Sequence, residues 1–134
     1  MKTLLTVTAI LEGSTGLALA AAPSALASVL VGASLDSSAS KAVARIASVA
    51  LLSLAIACWA ARRDTGSHAA RGIIAGMLFY NGGVAVILVH GALASGLTGL
   101  GLWPTVGLHI VFAVWCVVSL APVSPRASAP TPPG

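Results

Sequence analysis

From Gly72 to Pro125 the chain contains no Asp, Glu, Lys or Arg. A soluble core helix has no need of so long a charge-free run, whereas two membrane crossings joined by a turn require one, each crossing taking about 20 helical residues. The rest of the composition agrees. Apolar residues make up 57% of the 134 and charged residues 7%, against roughly 25% charged in an ordinary soluble domain. So few charges cannot cover a water-facing surface, so lipid must cover most of it.

Four stretches are long and apolar enough to span, at about 3–22, 41–61, 71–93 and 102–120. They predict an all-α, integral membrane four-helix bundle forming one domain over 1–121. The apolar piece at 23–31, opened by Pro23, is too short to cross and reads as an interfacial or re-entrant segment after the first helix. Residues 34–40, with Asp36, form a polar loop. Residues 96–101 make a charge-free glycine turn, and Pro104 suits the first turn of the last helix. The Pro-, Ser- and Ala-rich residues 122–134 read as a disordered tail. Lys2, an apolar run and the small residues at 18–22 resemble a secretory signal peptide. Glu12 interrupts that run and Thr3, Thr6 and Thr8 weaken it, so the segment is read as a retained first helix.

Arg62, Arg63 and Arg71 fall between the second and third spans, Lys2 at the start and Arg126 in the tail. The positive-inside rule places both termini and the Arg-rich turn in the cytoplasm. The net charge of +4 therefore orients the chain and forms no dense patch for nucleic acid. Cys58 and Cys116 lack CxxC or metal-ligand spacing and read as small apolar residues. A redox pair is the alternative.

The polar residues inside the spans carry what chemistry there is. At 100° per residue, Leu5, Thr8, Glu12, Thr15, Gly16 and Leu19 share one face of the first helix. Arg45, Ser48, Val49, Leu52 and Ile56 share one on the second, and Thr105, His109, Phe112, Ala113 and Cys116 one on the fourth. On the third, Gly72, Gly76, Gly83 and His90 lie opposite Asn81, which predicts a helix set between two partners, within the bundle in preference to across a homodimer. With about 1.5 Å of rise per residue, Glu12 lies about 14 Å deep level with Asn81, Arg45 about 6 Å and His109 about 10 Å from the outer surface. With His90 near the outer end, they would form a polar track.

An ionisable group at such depth costs about 2.5–3.5 kcal/mol on insertion scales and is a functional-site candidate by default. Glu12 must be protonated or paired, with Arg45 as its expected partner. Glu12, Arg45, Asn81 and His109 are thus the candidate ligand-binding residues. His68, His90 and His109 show no metal-ligand spacing, and His90 and His109, at different depths, could hold a bis-histidine haem only in a shifted register. No nucleophile elbow, phosphate loop, HExxH or dinucleotide fingerprint occurs, so no catalytic residue is assigned. Trp59 and Trp103 read as interfacial anchors, and Trp115 as a packing residue.

Glu12-Gly13 with Gly16, Pro23-Ser-Ala-Leu, Ala44-Arg45-Ile-Ala-Ser-Val-Ala-Leu-Leu and Tyr80-Asn81 together resemble the DoxX-like group of small four-helix bacterial membrane proteins, over roughly 3–120. The resemblance implies the four-helix architecture. For some relatives it implies quinone-coupled sulfur or redox chemistry. The expectation is an accessory, non-enzymatic membrane protein whose polar pocket takes a quinone-like or lipid-like molecule or an adjoining subunit. No other cofactor is implied. The alternatives are a membrane oxidoreductase component and a proton or solute transporter.

Overall fold

The computed structural model describes residues 1–121, and the expected disordered tail at 122–134 lies outside the described residues. Five α-helices follow in order: α1 Lys2–Ala21, α2 Pro23–Val31, α3 Ser38–Ala61, α4 His68–Ala94 and α5 Leu102–Leu120. The fold is all-α, and α1, α3, α4 and α5 are each long and apolar enough to cross a membrane. Helices suit that setting because each satisfies its own backbone hydrogen bonds where no water can.

The boundaries sit close to the hydropathy pattern except at two starts. α3 begins at Ser38, earlier than the apolar run, because Ser37 caps it by accepting the Ser40 N–H at 3.0 Å. α4 begins at His68 because Ser67 accepts the Ala70 N–H at 3.1 Å. A cap satisfies orphan N–H groups with a side chain, so polar residues that hydropathy assigns to a loop join the helix.

The bundle is two close pairs, α1 along α3 and α4 along α5, with fewer contacts between the pairs. Small residues set the first pair. A Cβ on Gly13 would touch the Ala55 Cβ at 3.6 Å, and one on Gly16 would lie 3.1 Å from the Ser48 carbonyl oxygen. Membrane helices associate mainly by such close approach. At the end where α1 starts, Leu4, Leu5, Ala9, Cys58, Ile74, Met77, Phe112 and Cys116 join all four spanning helices in one buried cluster. There the Arg71 guanidinium donates from Nη2 to the Leu120 carbonyl oxygen at 3.0 Å, and Arg62 lies 3.4 Å over the Trp59 ring. Trp59 and Trp103 are half exposed, and Trp115 packs on Phe112 with ring centroids 6.0 Å apart.

The expected faces of α1 and α5 hold, with Leu5, Thr8, Glu12 and Gly16 buried on one and Phe112 and Cys116 on the other. That of α3 is corrected. Its buried residues are Ser48, Ala55 and Cys58, whereas Val49, Ile56 and Arg45 face outward. In a helix apolar all round, hydropathy gives no contrast between protein and lipid, so only the small residues mark the contact.

α4 buries its Asn81 side, with Ala70, Ile74, Met77 and Ala85. The expected packing of its glycine face within the bundle is overturned, because a Cβ on Gly72, Gly76 or Gly83 would meet nothing within 4 Å. The paired replacement Gly72→Ala with Gly76→Ala is therefore expected to leave the detergent unfolding temperature unchanged or slightly raised, Ala being about 1 kcal/mol the better helix former. A clear fall would show that this face is packed after all.

Candidate functional site

Beyond the buried cluster, with Phe112 bordering both, the two helix pairs part around a cavity of about 300 Å³. Its wall takes Thr8, Glu12 and Thr15 from α1, Leu51 from α3, Tyr80, Asn81 and Leu88 from α4, and Thr105, His109 and Phe112 from α5. Leu26, Leu30 and Val31 of α2 close it on one side. The short segment after the first helix is thus a cover over the site.

Glycines hold that cover. α2 ends at Gly32, whose φ of +75° is a left-handed cap that side chains rarely adopt. The Gly101 N–H donates to the Val29 carbonyl oxygen at 2.8 Å, bringing the 96–101 turn onto the end of α2. A Cβ on Gly99 would overlap the Leu30 carbonyl group. The cover and the turn therefore form one backbone-to-backbone contact.

The polar wall is built from two hydrogen-bonded couples. Tyr80 donates its hydroxyl to Glu12 Oε2 at 3.2 Å, joining α4 to α1 across the gap between the pairs. His109 Nδ1 and Asn81 Oδ1 are 2.8 Å apart, joining α5 to α4. Asn81 also donates from Nδ2 to the Met77 carbonyl oxygen at 2.7 Å. The Tyr80 and His109 rings meet edge to face, with centroids 5.6 Å apart and planes at 77°. The two couples thus lie side by side. Thr8, 2% exposed, also lines the cavity, and its Oγ1 has no hydrogen-bond partner. Most native buried polar groups do have one.

Of the four residues expected to share a site, Glu12, Asn81 and His109 do so, and Arg45 does not. Arg45 is exposed and absent from the cavity wall. The expected Glu12–Arg45 pairing is replaced by a bond from the Tyr80 hydroxyl, because Arg45 sits on the outward side of α3 and Tyr80 stands on α4 facing α1. His90 is likewise not part of a track through the bundle. It is exposed in a separate open groove with Gly82, Val86 and Ile110.

Tyr80 lines the cavity and bonds Glu12, a partnership the sequence pattern did not indicate. Its signal was adjacency to Asn81: neighbouring helix residues point about 100° apart, so one turns towards α1 and the other towards α5. Cys58 and Cys116 are free, fully buried and part of the buried cluster. Such burial withholds a thiol from reactants in solution. Among the described residues no group of three or more His, Cys, Asp or Glu is placed to hold a metal ion. No protein-family model, no curated protein and no solved structure matches the chain.

Proposed function

We propose that this chain is an accessory, non-enzymatic protein of the bacterial inner membrane that holds a quinone-like or lipid-like molecule in the cavity between its helix pairs. The observation that carries the reading is the cavity wall. It is apolar except where Glu12, Tyr80, Asn81, His109 and the threonines Thr8, Thr15 and Thr105 converge. Ligand sites have this composition, mostly apolar with a few placed polar groups, and start at about 300 Å³. A ring or head group fits that volume. Leu108 lines the cavity and is 44% exposed, which supports an exit for an apolar tail on that side.

The sharing of one end by Lys2, Arg62, Arg63 and Arg71 supports a cytoplasmic position for that end. The Glu12-Gly13, Pro23 and Tyr80-Asn81 positions support kinship with the DoxX-like group, for which a role beside a larger membrane complex, or as a homodimer through the open face of α4, is in keeping.

The test is mass spectrometry of small molecules that co-purify with the wild type, Glu12→Gln and Arg45→Ala. A lipid or quinone retained by the wild type and by Arg45→Ala is expected to fall at least about fivefold in Glu12→Gln, the effect of one hydrogen bond of about 1 kcal/mol. Equal extracts from equally folded proteins would make Glu12 structural and remove the reading.

A further inference from the structure

We infer that the cavity selects a molecule whose head group donates a hydrogen bond, an alcohol or phenol, and that His109 makes the selection. This rests on the cavity being a ligand site, as proposed above.

The backbone carbonyl oxygen of Met77 can only accept. It takes a hydrogen bond from Asn81 Nδ2 at 2.7 Å, which turns the other end of that amide, Oδ1, towards His109. Oδ1 is also only an acceptor, so at 2.8 Å His109 Nδ1 must carry the proton. In the neutral ring this leaves Nε2 as a bare lone pair. Nε2 has no hydrogen-bond partner among the described residues, although His109 lines the cavity. The neighbouring donor cannot supply one, because the Tyr80 hydroxyl is directed to Glu12 Oε2. A carbonyl or ether presents only lone pairs to Nε2, whereas a hydroxyl donates to it. Of the two ligand classes, a lipid hydroxyl or the reduced, dihydroxy form of a quinone meets this condition, and an oxidised ring with two carbonyls does not.

Two probes of nearly the same shape separate the outcomes: 4-propylphenol, and 4-propylanisole, in which the hydroxyl is capped and can only accept. Binding to the full chain in detergent is measured by ligand-observed NMR against empty micelles. The wild type is expected to prefer the phenol by about fivefold, the effect of one net hydrogen bond. His109→Leu should bring that ratio to one with anisole binding unchanged, while Arg45→Ala, outside the cavity wall, should keep it. Should His109→Leu fold poorly, the double variant Asn81→Leu with His109→Leu removes both partners together and should also show a ratio of one. Equal binding of both probes to the wild type, or a preference that survives in a folded His109 variant, would overturn donor selection and leave the cavity reading standing. Binding of neither probe above the empty micelle would overturn both.

Discussion

Gly99→Ala is expected to lower the stability of the protein in detergent by about 2–4 kcal/mol, combining overpacking at about 1–3 kcal/mol with one lost hydrogen bond of about 1 kcal/mol. The added methyl group would run into the Leu30 carbonyl group and stand 2.5 Å from the Val31 nitrogen. These are backbone atoms, which cannot swing aside as the end of a side chain can. α2 would have to lift from the 96–101 turn, and the Gly101 N–H to Val29 bond of 2.8 Å would go with it. Because α2 covers the cavity, retention of any co-purifying molecule should fall in step. Thermal unfolding of Gly99→Ala beside Gly72→Ala, whose added methyl meets nothing within 4 Å, provides the comparison. Equal unfolding temperatures for the two would show that α2 is not seated on the turn.

Asn81→Leu should cost about 1–3 kcal/mol, the penalty for a buried donor left without a partner. The side chain is 2% exposed, and it supplies the only described acceptor for His109 Nδ1–H. In membrane proteins such bonds average nearer 0.6 kcal/mol, because the separated helices find other partners. The orphaned proton therefore decides the size of the effect, more than the lost bond itself. The double variant Asn81→Leu with His109→Leu tests this directly: removing both polar partners should recover part of the loss. A double variant as unstable as the sum of the two single ones would show no coupling between the residues.

Much of the architecture is legible in the residues alone. The absence of charge from Gly72 to Pro125 required two crossings, and the two proline-bounded pieces at 23–31 and 102–120 behave as their lengths and prolines suggest. The faces of α1 and α5 were readable because each carries polar groups, Thr8 and Glu12 on one and His109 on the other, that lipid would not accept. The face of α3 was not. Val49 and Ile56 are as apolar as any core residue, yet they are 62% and 70% exposed. In lipid, burial does not follow hydropathy, so an apolar residue says nothing about which way it points. Arg45 failed for a related reason. Its depth could be estimated from the helix rise, but depth does not say on which side of the helix the charge emerges.

The number of spans, their approximate ends and the level at which Glu12 and Asn81 lie are written in the residues themselves. Those properties add up residue by residue along a helix, through transfer free energy and a fixed rise. Packing in three dimensions divides the four helices into two pairs, sets Tyr80 against Glu12, orients His109 through Met77 and Asn81, and lays α2 over the cavity between them. Those outcomes depend on where helices cross. A missing Cβ at Gly16 or Gly99 brings two backbones together at one point, and such a contact joins residues far apart in the chain that no local pattern connects.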